Sequence, residues 1–142
     1  MILYADTSFL VSLYVPDANS SAAAASVRLL RSPLVLTPLG EFEFANSLAL
    51  RVFRKELTAA QAASVLAHFR QDITAGILQL GPFPLAVFER ATRLSQKHSA
   101  RLGTRTLDLL HVAAALSLGA QCFCTFDRTQ ANLARLLGLR VF

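Results

Sequence analysis

Cysteine, glycine and acidic residues are scarce in this 142-residue chain, and each scarcity limits what the protein can be. The six glycines never form GxGxxG or GxxxxGK[ST], so dinucleotide-binding and P-loop functions have no support. The two cysteines, Cys122 and Cys124, are too few for a zinc site and poorly placed for a disulfide along one predicted strand. We therefore expect buried, reduced thiols and a cytoplasmic protein.

Charged residues make up only 16% of the chain and hydrophobic residues 54%, a balance that excludes a disordered protein. A chain this apolar is expected to bury part of its surface against a partner. The 14 basic residues outnumber the nine acidic ones and give a net charge of +5. A basic domain of this kind binds nucleic acid or an acidic partner, or it simply carries a solvated basic surface.

One long stretch without a charged residue, Leu109–Phe126, invites a membrane interpretation. However, His111 and Gln121 are polar, and Gly119 is expected to break the stretch in two. A buried helix followed by a buried strand explains it better than a membrane span. No basic segment precedes the first apolar run, so no signal peptide is expected either.

Short apolar segments alternate with helical segments along the chain. Strands are predicted at MILYA before Asp6, at Leu34–Thr37, Ile77–Leu80 and Gln121–Thr125, with a fifth at Leu139–Phe142. Helices are predicted at Ser8–Val15, Ala22–Leu30, Leu39–Lys55, Thr58–Thr74, Leu85–Ala100, Thr104–Leu118 and Asp127–Gly138. This alternation predicts an α/β fold with a central, mainly parallel sheet of four to five strands, in one domain covering residues 1–142.

Four of the nine acidic residues stand in conspicuously apolar surroundings. Asp6 and Asp127 each end a predicted strand at the same edge of the sheet, whereas Glu43 and Asp108 lie within apolar helices. Buried carboxylates are rare unless they are paired, and α/β sheets bind ligands at this edge. Four carboxylates that converge on Mg²⁺ or Mn²⁺ would explain all four positions, because hard oxygen ligands suit those ions.

Each of these acids also has a simpler explanation. Asp6 and Asp127 are both suited to cap the helices that follow them. Asp108 could pair with Arg105, three residues earlier on the same helix, and Glu43 could lie at a helix surface. Each simple explanation is favoured when it is taken alone, but four of them at once are less favoured than a shared site.

Glu41, which lies near Glu43, and His111, which lies near Asp108, leave two questions open about the composition of the site. Glu41 and Glu43 are about 200° apart around a helix, so only one of them can face such a site, and the spacing does not select it. His111 follows Asp108 by three residues, and a packing role is favoured for it over direct chemistry. No Ser/His/Asp or Cys/His arrangement is evident.

The order of the motifs MILYADTSFL, EFANSL, RTLDLLHVAAAL and CTFDRTQANLARLLGL resembles that of PIN-domain proteins, and in particular the VapC toxins of bacterial type II toxin–antitoxin systems. The resemblance runs from residue 1 to the end of the chain. It implies a three-layer α/β/α sandwich with four acids at the C-terminal edge of its sheet. It also implies an endoribonuclease that uses Mg²⁺ or Mn²⁺ to cut RNA.

Carried over residue by residue, the resemblance gives this chain a complete set of catalytic, metal-binding acids: Asp6, Glu43, Asp108 and Asp127. It selects Glu43 over Glu41, because the acid of the family is followed two residues later by a small residue and then Asn, as in Glu43-Phe-Ala-Asn46. Three further residues are expected to orient the acids: Thr7, Asn46 and Thr125.

Carboxylate-bound divalent ions suit phosphodiester hydrolysis, because they activate water and stabilise charge on the phosphate. Without the four candidate ligands, 14 basic residues face five acidic ones, a balance of +9 that suits an RNA backbone. Solvated surface arginine is the alternative for each candidate phosphate contact. The candidates are Arg51, Arg54, Arg105 and Arg128.

The apolar composition and the resemblance together imply two protein partners. One is a second copy of the chain in a homodimer, for which the expected contacts are Phe42, Phe44, Phe53 and Phe69. The other is a small VapB-like antitoxin that covers apolar surface and places an arginine near the four acids. Two other functions stay open: a PIN nuclease of RNA maturation, and a non-catalytic module that binds RNA or protein and uses its acids as caps.

Overall fold

The computed structural model describes all residues from Met1 to Phe142 and places five strands in one sheet. The strands are β1 (Leu3–Ala5), β2 (Leu34–Leu36), β3 (Leu78–Leu80), β4 (Cys122–Cys124) and β5 (Arg140–Val141). Their order across the sheet is β3-β2-β1-β4-β5, and every neighbouring pair is parallel. The predicted α/β fold with a parallel sheet is confirmed, and each of the five strands is shorter than predicted.

Helices connect consecutive strands. They are α1 (Thr7–Tyr14), α2 (Ser20–Leu30), α3 (Pro38–Phe53), α4 (Ala59–Thr74), α5 (Ala86–Leu94), α6 (Ala100–Leu102), α7 (Thr106–Ser117) and α8 (Arg128–Leu136). A π-helical turn, Ser95–Ser99, joins α5 to α6, where the sequence predicts one uninterrupted helix. The turn was not predicted because Ser-Gln-Lys-His-Ser contains no Gly or Pro to mark a change of helical pitch.

Alternation along the strands divides the core into two halves. In β1, Leu3 and Ala5 pack into one apolar cluster, and Tyr4 packs into the other. Helices α1, α2, α3 and α4 contribute to the first cluster, whereas α5, α7 and α8 contribute to the second. Because successive side chains of a strand point to opposite faces, the sheet is covered on both sides. The result is the expected three-layer α/β/α sandwich.

The phenylalanines that were expected at a dimer interface fall into two groups. Phe44 and Phe69 are fully buried in the first cluster, where their rings stack with centroids 3.9 Å apart. Their assignment to a dimer interface was therefore wrong, because the monomer itself buries them. Phe42 and Phe53 are 72% and 83% exposed, so only these two are free to contact another chain.

The stretch Leu109–Phe126 forms most of α7 and all of β4, as predicted. No helix of the structure combines the length and the hydropathy needed to cross a membrane. Cys122 and Cys124 are buried free thiols on β4, also as predicted. Burial, together with the nearby Cys122 and Asp6, raises the pKa of Cys124 to about 12, so the thiol stays protonated.

Parallel topology brings the predicted acids to one edge of the sheet. Asp6 follows the central strand β1, and Asp127 comes three residues after the end of the neighbouring β4. Thr37 follows β2 on the other side of β1, and α3 begins there and carries Glu43. All three loops lie at the C-terminal ends of their strands, the edge where α/β sheets bind ligands.

Candidate active site

Asp6 occupies the centre of this edge and is completely buried. Its carboxylate caps α1 by accepting a hydrogen bond from the Phe9 amide at 2.9 Å. The Ser8 hydroxyl donates to both carboxylate oxygens, at 2.8 and 2.9 Å, and the Thr125 hydroxyl donates to Oδ2 at 2.7 Å. All of these donors are neutral, so no basic side chain forms an ion pair with this buried carboxylate.

The environment of Asp6 disfavours its charged form. Burial raises the pKa of Asp6 above its ordinary range, although the donors from Phe9, Thr125 and Ser8 and the nearby His111 act in the opposite direction. A buried acid with a raised pKa and no basic partner is short of positive charge. A buried carboxylate of this kind is costly unless a cation or a metal ion pairs with it.

Asp127 is connected to Asp6 by the hydroxyl of Thr125, which hydrogen-bonds both residues. The Asp127 amide donates to the Thr125 hydroxyl oxygen at 2.9 Å, and the same hydroxyl donates to Asp6. The Asp127 carboxylate caps α8 by accepting from the Gln130 amide at 2.9 Å. Its other oxygen lies 3.5 Å from Nη2 of Arg105. The predicted cap is thus present, and it leaves one carboxylate oxygen directed at a basic group.

Asp108 is held in the first turn of α7 and is only 2% exposed. Its Oδ2 accepts from the Arg105 amide at 2.9 Å and lies 3.3 Å from Nε of the same arginine. Its Oδ1 accepts from the Gln130 side chain at 3.3 Å. The alternative pairing with Arg105 is therefore real, and Gln130 joins Asp108 to the cap of Asp127.

Glu43 belongs to a second set of hydrogen bonds, on the α3 side of the edge. The Thr7 hydroxyl donates to Oε1 of Glu43 at 2.9 Å, and Nε2 of His111 contacts the same oxygen. The other ring nitrogen of His111 lies 2.8 Å from the Tyr4 hydroxyl, which in turn lies 3.4 Å from the Thr37 hydroxyl. Buried His111 thus connects the sheet to the acid, which is more than the packing role expected for it.

These contacts affect the charge state of Glu43. Partial burial acts to raise the pKa of Glu43, but the hydrogen bond and charge of His111 and the bond from Thr7 outweigh it. The pKa of Glu43 is therefore lowered, in contrast to that of Asp6. The two acids sit in different electrostatic environments on the two sides of Thr7.

The comparison with protein families decides what kind of domain carries this edge. The family model described as PIN domain matches residues 3–136. The chain belongs to the PIN-domain family. A comparison with curated protein sequences finds no match for this PIN domain.

Solved structures share the PIN fold. VapC20 of Mycobacterium tuberculosis, a sarcin–ricin loop cleaving toxin, has a TM-score of 0.67 and 20% identity, over 92% of this chain and 93% of its own. FitAcB from Neisseria gonorrhoeae has a TM-score of 0.71 and 18% identity, over 99% and 96%. VapBC2 from Rickettsia felis, bound to a DNA fragment from its promoter, has a TM-score of 0.70 and 17% identity, over 100% and 98%. At these identities the likeness shows the fold alone.

The acids of this PIN domain provide the oxygen donors that a hard divalent cation prefers, but their side chains are not arranged around a common point. The donors are carboxylate oxygens, and buried Asp6 lacks a basic partner. However, no group of three or more acidic, histidine or cysteine side chains is arranged to hold a metal ion. Between Asp108 and Asp127 stands the guanidinium of Arg105.

The other predicted residues of the PIN domain lie around these acids. Thr7 and Thr125 each hydrogen-bond an acid directly. Asn46 lines a cleft of about 410 Å³ with Thr7 and Glu43 but forms no hydrogen bond with either, so its role stays a prediction. Glu41 forms no hydrogen bond with Thr7 or His111, and Glu43 is the glutamate of α3 that faces the edge.

The four arginines predicted to contact phosphate have different surroundings. Arg54 lines the Glu43 cleft, and Arg51 lines a cleft of about 380 Å³ that also contains Asp127, although it pairs with Glu56 at 3.2 Å. Arg128 lines a third cleft that also contains Asp127. Arg105 differs from the other three because its guanidinium is paired with the acids themselves.

Three contributors to the site were not predicted for the roles that they have. Ser8 bonds both oxygens of Asp6, and Gln130 bonds both Asp108 and Asp127. Tyr4 contacts the ring of His111 from inside the core. Ser8 could have been found from its position two residues after Asp6, within the first turn of α1. The contacts of Tyr4 with His111 and of Gln130 with Asp108 depend on tertiary packing and have no local sequence signal, whereas the bond from the Gln130 amide to Asp127 is the predicted local cap.

Proposed function

We propose that this PIN domain is a divalent-metal-dependent endoribonuclease that acts as the toxin of a toxin–antitoxin pair. The observation that carries the proposal is the convergence of four acids on one sheet edge, where hydrogen bonds join them into two adjacent sets. One set contains Asp6, Asp108 and Asp127, and the other contains Glu43. Thr7 belongs to the second set and is the immediate chain neighbour of Asp6.

The proposed ligands of Mg²⁺ or Mn²⁺ are Asp6, Glu43, Asp108 and Asp127. A bound divalent ion would activate a water molecule and stabilise negative charge on the scissile phosphate. The chain itself keeps the carboxylates in place: Thr125 fixes the orientation of Asp6, and Gln130 fixes Asp108. Outer contacts of this kind orient metal ligands and contribute to metal affinity.

The proposed substrate is RNA, whose backbone would cross the edge between basic clefts. Arg54 lies at the Glu43 cleft, and Arg128 lies at the cleft beside Asp127. Arginines on both sides of a set of acids can hold a phosphate backbone across it, because each arginine neutralises phosphate charge. Arg51 is expected to contribute less because Glu56 already pairs with it.

The decisive test is metal-dependent RNA cleavage by purified Asp108→Asn, with Glu41→Gln as the matched control. The asparagine keeps the hydrogen bond from the Arg105 amide but loses a charged oxygen ligand. Activity should fall at least about 100-fold, more than the loss from removing an outer contact, while Glu41→Gln stays close to wild type. Full Mg²⁺-dependent activity of Asp108→Asn would contradict the assignment.

An antitoxin and a second copy of the chain are the proposed protein partners. VapC20, a toxin, and VapBC2, which is bound to a DNA fragment from its promoter, share the fold of this chain. Phe42 and Phe53 on α3 provide exposed apolar surface for a partner. Co-expression with a small protein encoded next to this chain should neutralise its toxicity. If no such gene exists, a nuclease of RNA maturation becomes the better explanation.

A non-catalytic binding module is the competing function, and one observation favours it. Every one of the four acids already has hydrogen-bond partners, and Asp6 and Asp127 are helix caps. Such a module would bind RNA without cutting it, with or without Mg²⁺. The absence of cleavage together with RNA binding that tolerates Asp6→Asn would support it.

A further inference from the structure

Arg105 joins two of the acids through its side chain although that side chain is 76% exposed. Its Nε lies 3.3 Å from Oδ2 of Asp108, and its Nη2 lies 3.5 Å from Oδ2 of Asp127. The one guanidinium therefore faces both carboxylates from the solvent side. No other lysine or arginine is paired with any of the four acids.

The positions of the two acids do not depend on this guanidinium. Asp108 is held by the backbone amide of Arg105 at 2.9 Å and by the Gln130 side chain at 3.3 Å. Asp127 is held by the Gln130 amide at 2.9 Å. These three bonds all remain when the arginine side chain is removed. The guanidinium neutralises the two carboxylates and does not build the site.

A guanidinium and a divalent ion compete for the same carboxylate oxygens, because two cations a few ångströms apart repel each other. Arginine stays protonated in proteins, so it cannot leave by losing its proton. It can leave only by a change of rotamer, and the exposed side chain of Arg105 has solvent to move into. Displaced in this way, Arg105 would lie at the rim of the site with its charge free for a phosphate.

We propose that Arg105 is a resident counter-cation that competes with the metal ion for Asp108 and Asp127. In the metal-free protein it bridges the two acids, and on metal binding it swings outward and becomes a phosphate contact. The inference rests on the proposed metal site. It makes Arg105 a positioning residue that couples metal loading to RNA binding.

The first test is calorimetric titration of RNA-free protein with Mn²⁺, using Arg105→Ala and the matched control Arg101→Ala. Arg101 is also exposed and lies four residues earlier, but it forms no ion pair with an acid, so it reports the general loss of one positive charge. Arg105→Ala should bind Mn²⁺ about three- to tenfold more tightly than wild type, the range that one or two partly exposed ion pairs represent. Arg101→Ala should shift the affinity much less.

Equal affinities of the two variants, or weaker Mn²⁺ binding by Arg105→Ala, would overturn the competition. If wild type binds no Mn²⁺ but Arg105→Ala does, the competition is supported in its strongest form. If neither binds, the metal site of the proposed function fails and the inference fails with it. Arg105→Gln provides a second variant that keeps the aliphatic part of the side chain and a polar end without its charge, and it should behave like Arg105→Ala.

A second, spectroscopic test follows Arg105 directly. The ¹⁵N-labelled Nε–H resonance of Arg105 should be distinct in metal-free protein, because its hydrogen bond to Asp108 shifts it from the signals of solvated arginines. Titration with diamagnetic Mg²⁺ should move it toward the position of free arginine as the carboxylates are taken over. A resonance that stays unchanged while Mg²⁺ binds would show that the two cations do not compete.

Discussion

Replacing Asp6 by asparagine tests whether the protein sacrifices stability for its site. Asparagine caps helices about as well as aspartate, so the bond from the Phe9 amide should survive. The Thr125 hydroxyl can rotate to accept from the new amide group, and the cost of burying a charge disappears. We expect Asp6→Asn to be at least as stable as wild type at pH 7.5 in the presence of a chelator, and to lose metal-dependent cleavage.

The pH dependence has a definite sign. Because the pKa of Asp6 is raised in the folded state, mainly by burial, the folded protein binds more protons than the unfolded one. The contribution of Asp6 to the free energy of unfolding should therefore increase as the pH falls from above its folded-state pKa toward its unfolded value, whereas Glu43, whose pKa is lowered, contributes with the opposite sign. Asp6→Asn lacks this gain, so its advantage should be largest near neutral pH and should shrink on acidification.

The matched comparison is Asp6→Ala, which removes the cap as well as the charge. Loss of the cap costs about 1 kcal/mol, and the hydroxyls of Ser8 and Thr125, left without their acceptor, add about 1 kcal/mol or more. Urea unfolding in chelator at two pH values measures all three proteins. The reasoning is refuted if Asp6→Asn is more than about 1 kcal/mol less stable than wild type at pH 7.5, a loss as large as that of a missing cap.

Three further changes test other parts of the structure. Phe69→Ala removes one ring of the buried stack with Phe44 and should cost about 3–5 kcal/mol in urea unfolding; a loss below about 1 kcal/mol would contradict the packing. His111→Leu leaves the Tyr4 hydroxyl with one distant partner and should destabilise the fold by about 1–3 kcal/mol in the same assay. Phe53→Ser should leave the monomer's stability within about 0.5 kcal/mol and shift the mass in light scattering from dimer to monomer; a wild type that is already monomeric at micromolar concentration would contradict the dimer.

The fold could be predicted because each strand is a short apolar segment that ends at a recognisable signal. Asp6 and Thr37 stop β1 and β2 and precede helices, and α4 begins after a Thr58 capping box, where the sequence predicts the start of a helix. The π-helical turn Ser95–Ser99 could not be predicted, because it depends on how α5 and α6 pack and not on a residue that breaks helices. The burial of Phe44 and Phe69, which were assigned to a dimer interface, also depends on tertiary packing and could not be predicted from the local sequence.

The sequence predicted which residues lie together at this edge but not their contacts, and their binding of a metal ion stays a prediction. Asp6, Asp108 and Asp127 were singled out by their apolar surroundings, and the structure brings them to one edge. The bond from Thr125 to Asp6 joins residues 119 positions apart, and no local pattern records such a contact. For Asp6, the helix cap and the shared site are not alternatives. One carboxylate oxygen accepts the capping bond from the Phe9 amide, and the other accepts from Thr125 at the candidate site.

This double use shows how the fold offsets the charge of the four acids with its own groups. Backbone amides neutralise part of the charge of Asp6 and Asp127, because a helix N-terminus favours a carboxylate. Glu43 has His111, and Asp108 has the amide and the guanidinium of Arg105. Most of these partners are fixed parts of the fold, whereas the exposed guanidinium alone can leave without disturbing it. The fold therefore keeps the acids in position through rigid contacts and leaves the last neutralising charge exchangeable, which is the arrangement that a site loaded by an external cation requires.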